Sequence, residues 1–277
     1  MEDRQAGVRS LAEWTHLRPE HLFDLSGRTA LVTGAAGGLG QWLAAGLAAA
    51  GAHTVLTDRD AERLKITADA LSPHADTSTD VADLHDQQDC QELIDRTVER
   101  CGRLDVLINC AAVNSRSPTL DVDQSTYDRI MDNDLKVPFF LAQASARHMI
   151  DQGGGSIVHV GSINSSFGLA RVAVYGAAKA ALSQLTRVQA VEWGRHRIRV
   201  NCLAPGFLKT PLSEPLWADP AIADWILTRV PLARPGLPHE MTGLLLLLAS
   251  DAGAFLTGHT FYADGGFLAG GNWSIHD

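Results

Sequence analysis

Several features are scarce in this 277-residue sequence, and each scarcity argues against a class of protein. Basic residues are outnumbered: 23 Lys and Arg face 32 Asp and Glu, a net charge of −9. A general nucleic-acid binder needs a basic face, so no nucleic-acid partner is expected. Apolar runs are short. The Leu-rich stretch at residues 244–249 is far below the roughly 20 residues that span a bilayer, and it reads as a buried helix. The opening M-E-D-R-Q-A-G-V-R lacks the apolar core of a secretory signal. The four cysteines, Cys90, Cys101, Cys110 and Cys202, show neither metal-ligand spacing nor a disulfide framework. No metal and no membrane are expected, and the expected location is a reducing cytoplasm.

What is present is a globular composition, 45% hydrophobic, with enough chain for a large core. Residues 29–32 form a short apolar run that leads straight into T-G-A-A-G-G-L-G. An Ala/Leu-rich helix then begins near Leu39. Strand, glycine turn and helix in that order suit a dinucleotide site. Gly34, Gly38 and Gly40 let the backbone approach a pyrophosphate, and the helix N-terminus faces its charge. A second strand, H-T-V-L-T, closes on Asp58, 24 residues after Gly34. A carboxylate there binds both hydroxyls of an adenosine ribose and repels a 2′-phosphate. The glycine loop holds no Arg or Lys to offset it, and Arg59 alone favours NADP, so the expected cofactor is NAD.

The stretch T-S-T-D-V ends on Asp80 and Val81, and R-L-D-V-L-I-N ends on Asn109. Asp80 is placed to meet an adenine, to cap a helix before A-D-L, or both. Strands and helices alternating at this rhythm predict a parallel sheet. The expected fold is α/β: a single-domain, doubly wound parallel sheet (Rossmann fold) with helices on both faces, over residues 25–277. Residues 1–24, with Leu11, Trp14, Leu17 and Leu22, are expected to be an extension that contributes to assembly. The segment near 207–238, with six prolines and two tryptophans between Pro211 and Pro238, reads either as a helical substrate lid or as a surface excursion.

The densest chemistry lies between Ser162 and Lys179. The run I-V-H-V-G reads as a buried strand, which places Ser162 at a strand C-terminus, where open parallel sheets bind ligands. Tyr175 and Lys179 are four apart in Y-G-A-A-K, one turn apart on one helix face. A nearby ammonium favours the phenolate and lowers a pKa that starts near 10. A tyrosine tuned in this way exchanges protons near neutral pH.

Together these residues resemble the short-chain dehydrogenases/reductases. The glycine loop, Asp80-Val81, the N-C-A-A from Asn109, Ser162, Tyr175 with Lys179, Pro205-Gly206 and the A-D-G-G around Asp264 all occur in that family's order. The resemblance covers about residues 23–270. It implies Tyr175 as general acid/base, Ser162 on the substrate carbonyl, and Lys179 on the tyrosine and the nicotinamide ribose. It also implies cofactor contacts from Asn109, Pro205, Gly206, Leu208 and Thr210. Asn164, Phe207 and Arg116 are expected on the substrate; Arg116 reads equally as a solvated loop residue. Within the family the chain is most similar to sugar-acid and polyol dehydrogenases of the gluconate 5-dehydrogenase and 2-deoxygluconate 3-dehydrogenase types. A homotetramer is implied by the family's habit and by the small residues Ala177, Ala178, Ala180 and Ala181.

The chain departs from the family twice. Ala112 replaces a glycine after Asn109-Cys110-Ala111. Asp134 stands where the family carries its fourth catalytic residue, an asparagine, in Y-D-R-I-M-D-N-D-L-K-V; on an α-helix the adjacent Asn133 points about 100° away. Asp134 keeps the backbone carbonyl that in the family holds a water on the lysine, or it pairs directly with Lys179. The expected function is an NAD-dependent oxidoreductase interconverting a secondary alcohol and a ketone, on a sugar acid or polyol. The alternatives are a reductase of an oxoacyl or cyclic ketone, and a nucleotide-binding protein with little turnover.

Overall fold

Strand β1 (Thr29–Thr33) is buried at all five positions. A strand without a wet face is covered on both sides, which is the habit of parallel sheets. In the computed structural model, which describes residues 17–73 and 75–271, β1 lies inside a seven-stranded sheet of order β3-β2-β1-β4-β5-β6-β7. The other strands are β2 (His53–Asp58), β3 (Thr77–Val81), β4 (Val106–Asn109), β5 (Gly155–Val160), β6 (Ile198–Pro205) and β7 (Thr260–Ala263). All six ladders are parallel.

Alternate residues of each strand feed two cores. Ala30, Val32 and Leu203 join Leu43, Leu47, Leu64 and Leu245, which belong to α2 (Gly40–Ala49), α3 (Ala61–Leu71) and α10 (Thr242–Ala249). Leu31, Val55 and Leu107 face the other way, into Ile94 and Leu141 of α4 (Gln87–Cys101) and α6 (Val137–Gln152) and Ala190 of α7 (Ala173–Trp193). The period of two along a strand places one set on each face. The Leu-rich stretch is α10, with Leu245 and Leu248 fully buried.

The N-terminal segment is described only from residue 17 onward. Leu11 and Trp14 lie outside the described residues, Leu17 is exposed, and the only helix described there is the single turn α1 (Pro19–Leu22), which buries no residue.

Asp80 also needs correction. It caps no helix: α4 begins at Gln87 and is capped by Asp86, which accepts from the N–H groups of Gln88 (2.8 Å) and Asp89 (3.0 Å). Asp80 instead fastens β3 to α4. Its Oδ1 accepts from Arg96 Nη2 at 3.0 Å and its Oδ2 from Arg100 Nη2 at 2.9 Å. The arginines sit one helical turn apart, so both reach one carboxylate. The acid is buried, but the guanidinium side chains are 43% and 41% exposed. Solvent therefore takes up part of the charge if the acid is lost. Asp80→Ala should lower the unfolding free energy by about 1–3 kcal/mol, below the cost of breaking a fully buried pair. Urea unfolding at neutral pH measures it, and a loss under about 0.5 kcal/mol would contradict this role.

Candidate active site

The strand order reverses between β1 and β4, whose neighbours diverge to opposite sides of the sheet. A crevice opens at the carboxyl ends of such a pair. Here it is a cleft of about 1200 Å³, lined by the glycine loop, Asp58, residues 110–114, Ser162, Tyr175, Lys179 and the 205–226 region. Thr33 closes its floor. The Thr33 Oγ1 accepts from the backbone N–H groups of Cys110 (3.1 Å) and Ala111 (3.3 Å), tying the end of β1 to the end of β4.

The glycine loop needs its glycines for close approach. Gly34 has φ 68°, in the left-handed region, and a Cβ there would meet the Ala111 backbone at 2.8 Å. A Cβ on Gly40 would collide with the Gly34 carbonyl. No side chain caps α2, whose N-cap is Leu39. A dinucleotide pyrophosphate fits this uncapped helix start. Asp58 stands at the end of β2 with one oxygen accepting from Ala36 N–H (3.1 Å) and the other from Asp60 N–H (3.1 Å).

The expected catalytic residues converge on the same cleft. Ser162 opens a short 3-10 turn after β5; its Oγ accepts from Asn164 N–H at 3.1 Å and donates to Asn164 Oδ1 at 3.2 Å. Tyr175 and Lys179 stand on the first turns of α7, with the lysine Nζ 5.6 Å from the tyrosine ring centre. Lys179 is 2% exposed, and its Nζ donates to the Val160 carbonyl at 3.0 Å.

Between α5 (Gln124–Met131) and α6 the helix widens into a π turn, Asp132–Lys136. The sequence pattern suggests a continuous α-helix there. The π turn carries Asp134 inward until it is fully buried. Its Oδ1 accepts from Val113 N–H at 2.8 Å, and its Oδ2 lies 3.4 Å from Lys179 Nζ, an ion-pair distance without a directed hydrogen bond. Asn133 reaches the cleft wall, but its amide donates to the Arg129 carbonyl at 2.9 Å.

The electrostatics differ from the simple expectation of a lowered tyrosine. Burial pushes the Tyr175 phenol above its ordinary pKa; Lys179 pulls it down and Asp134 pushes it up again. Tyr175 keeps a partly exposed face, so this is the burial of a cleft wall rather than of the core. Burial acts against the Lys179 ammonium, yet Asp134, followed by Tyr175, outweighs it and the lysine pKa rises. Burial likewise pushes Asp134 upward, against the pull of Lys179 and the Val113 N–H.

Other expected residues divide into two groups. Gly38, Leu39, Pro205, Gly206, Phe207, Leu208, Thr210, Asn164 and Arg116 line the cleft; Asp80, Val81, Asn109 and Asp134 do not. Asn109 lies beneath it, donating to the Pro138 carbonyl (3.3 Å) and to His159 Nδ1 (3.1 Å). His159 Nε2 in turn meets Gln189 Oε1 at 2.9 Å, and burial holds this imidazole down to about 4. Sequence reasoning missed Arg63 and Arg171, both on the cleft wall. Arg63 lies in the first turn of α3, after Asp60 as its N-cap, and Arg171 has φ 71° with its carbonyl accepting from Ser117 N–H; neither carries a sequence signal for the cleft. Segments α8 (Glu214–Ala218) and α9 (Pro220–Leu227) cover one side, with Leu216 and Trp225 facing the cleft. Trp225 packs edge-on against Phe207 at 6.4 Å.

The glycine geometry has a measurable consequence. Gly40→Ala should weaken binding of a nicotinamide dinucleotide at least about tenfold, about 1.4 kcal/mol, because the added methyl displaces the Gly34 peptide. Titration calorimetry reads this, and unchanged affinity in a folded variant would contradict the cradle.

Residues 34–268 match the family model described as Enoyl-(Acyl carrier protein) reductase. The chain is 39% identical to gluconate 5-dehydrogenase of Gluconobacter oxydans (strain 621H), across 88% of this chain and 96% of the relative. It is 38% identical to 2-dehydro-3-deoxy-D-gluconate 5-dehydrogenase of Escherichia coli (strain K12), across 89% and 98%. Among solved structures, a gluconate 5-dehydrogenase from Burkholderia cenocepacia J2315 in complex with NADP and tartrate superposes with a TM-score of 0.88 at 35% identity, covering 91% of this chain and 99% of that one. A short-chain type dehydrogenase/reductase from Mycobacterium marinum gives 0.85 at 35% identity, covering 89% and 97%. On this breadth of match the chain belongs to the short-chain dehydrogenase/reductase family of oxidoreductases.

Proposed function

We propose that the protein is an NAD-dependent dehydrogenase that interconverts a secondary alcohol and a ketone on a sugar acid or polyol. The observation that carries this reading is Ser162, Tyr175 and Lys179 together on the wall of a cleft whose other end is a glycine cradle. The names of the gluconate-type relatives support the sugar-acid class. A nicotinamide dinucleotide would supply the hydride acceptor, and Gly34, Gly38, Leu39, Gly40, Asp58, Lys179, Pro205, Gly206, Leu208 and Thr210 would hold it. Tyr175 takes the alcohol proton. Ser162 turns its hydroxyl from Asn164 to the substrate oxygen, and Lys179 fixes the tyrosine's field. Arg116, exposed at the cleft wall, meets the substrate carboxylate, with Asn164 and Phe207 beside it.

NAD rests on Asp58. A 2′-phosphate beside this carboxylate meets repulsion, and Arg59 and Arg63 offer partial relief. The Burkholderia relative holds NADP, so the discrimination belongs to this chain's own residues. Wild type should show higher kcat/KM with NAD than with NADP, and Asp58→Ala should narrow the ratio. A wild-type preference for NADP would overturn the assignment.

Assembly as a homotetramer belongs to the same proposal. Val188 and Val191 of α7 are 43% and 84% exposed, and Phe139 and Ile150 of α6 also face outward, which supports a subunit contact on this side. Light scattering at micromolar concentration should give four times the chain mass; a monomer mass contradicts it. A cytoplasmic setting is proposed on the four free thiols.

The proton-transfer role is tested by Tyr175→Phe, assayed with NAD and a panel of sugar acids and polyols. Removing a general base typically costs on the order of 10²–10⁴ in rate, so kcat should fall by that factor while NAD affinity holds. Wild-type turnover that survives in the phenylalanine variant would contradict it.

A further inference from the structure

The structure assigns to Asp134 the part of a positioning residue: its buried carboxylate anchors the Lys179 ammonium and holds Tyr175 in the phenol form to higher pH. This rests on the reading of Tyr175 as the proton-transfer group.

Three geometric facts carry it. The π turn drives the Asp134 side chain into full burial, where a charge is tolerated only beside a partner. The carboxylate meets two donors, Val113 N–H on Oδ1 and the Lys179 ammonium facing Oδ2. Among the described residues Oδ2 finds no acceptor, so a proton placed there would stand unpaired against an ammonium. The ionised pair is the arrangement that suits these contacts. Lys179 then directs one N–H to Val160 and its charge toward Asp134, and the remainder of the ammonium faces the cleft.

The charged and titratable groups around Tyr175 come from several elements. Lys179 comes from its own helix, Asp134 from the π turn, Ser162 from the turn after β5, and Arg116 from the loop after β4. Cys202 of β6 and His159 of β5 lie near Lys179, as does Cys110 beyond β4. Burial holds the Cys110 thiol up at about 12, raises Cys202, and holds His159 down at about 4, so all three are neutral at pH 7. Arg129 reaches Asp134 from the α5 side. Among the described residues, the charges that act on the phenol at neutral pH are therefore two cations, Lys179 and Arg116, and one anion, Asp134. Asp134 is the only one of the three that opposes the phenolate; with its charge removed the Val160 carbonyl still accepts from the ammonium, Lys179 stays charged, and the tyrosine pKa falls.

The experiment titrates the phenolate absorbance of the apoprotein against pH, with Tyr175→Phe as the background that isolates this tyrosine from Tyr127 and Tyr262. Asp134→Asn preserves size. Asp134→Ala, which admits water, is the second variant should the amide leave a donor against Lys179 and fail to fold. The expected result is a Tyr175 transition at lower pH in whichever variant is folded. The rising limb of kcat/KM for alcohol oxidation should move the same way. Below the transition, the phenolate fraction at a given pH grows about tenfold for every pH unit the midpoint falls. A transition that stays in place or moves to higher pH overturns the assignment, because a purely structural Asp134 would alter stability without moving the titration. The absorbance readout needs neither substrate nor turnover. An unmoved transition therefore counts against Asp134 alone, while loss of the proton-transfer role would appear separately as turnover in Tyr175→Phe.

Discussion

Lys179 carries a positive charge to a place that water barely reaches, and much of the site is arranged around that fact. Burying an ammonium costs several kcal/mol, and a buried lysine with neither a counter-charge nor a hydrogen-bond acceptor releases its proton instead. Asp134, at 3.4 Å, returns about 5 kcal/mol at an effective dielectric constant of about 20. Attraction and desolvation are thus of similar size, and the Val160 carbonyl adds a hydrogen bond that favours the charged form. A charge held this way faces the cleft from a fixed point, as a preorganised electrostatic element must. The same buried acid that adds to the stability of the charged lysine works against its effect on Tyr175. Stabilising the cation and tuning the tyrosine are opposed demands met by one ion pair.

The sheet explains why these groups meet. Strand order reverses at β1 and β4, Thr33 ties the two ends together, and every segment that follows β1, β4, β5 or β6 opens on the same edge. Ser162 follows β5, Pro205 ends β6, and α7 returns Tyr175 and Lys179 against both. The aromatic cluster of Phe207, Trp225 and Phe267 seats the covering segments α8 and α9 on this edge. The cleft therefore has a dinucleotide half built from backbone and a chemical half built from side chains.

Much of this is legible in the sequence because it rests on local signals. A buried strand followed by a glycine turn and a helix is written within a dozen residues, as is the four-residue spacing of Tyr175 and Lys179. Asp134 is legible as a departure from the family's asparagine, but its environment is not. Inserting a π turn changes the direction of every side chain in it, and no periodicity marks the insertion. Asp80 misleads for a related reason: the acid sits where a cap is plausible, but its partners Arg96 and Arg100 come from later in the chain. Asn109 is expected near the cofactor from the family resemblance; its side-chain amide is engaged by the imidazole of His159, fifty residues away, and by the Pro138 carbonyl, partners that the local sequence does not announce. Arg171 reaches the cleft only through a left-handed backbone turn that its neighbours do not announce.

The chemistry proposed for this cleft is hydride transfer between a sugar-acid carbon and a nicotinamide dinucleotide. The most direct test follows the atom itself. The protein is incubated with NAD and gluconate bearing deuterium on its secondary alcohol carbons, and the dinucleotide is then examined by mass spectrometry and NMR. The account predicts that deuterium appears on the nicotinamide ring, on one face only. Nucleotide that binds the protein yet gains no deuterium from any member of a sugar-acid and polyol panel would contradict it.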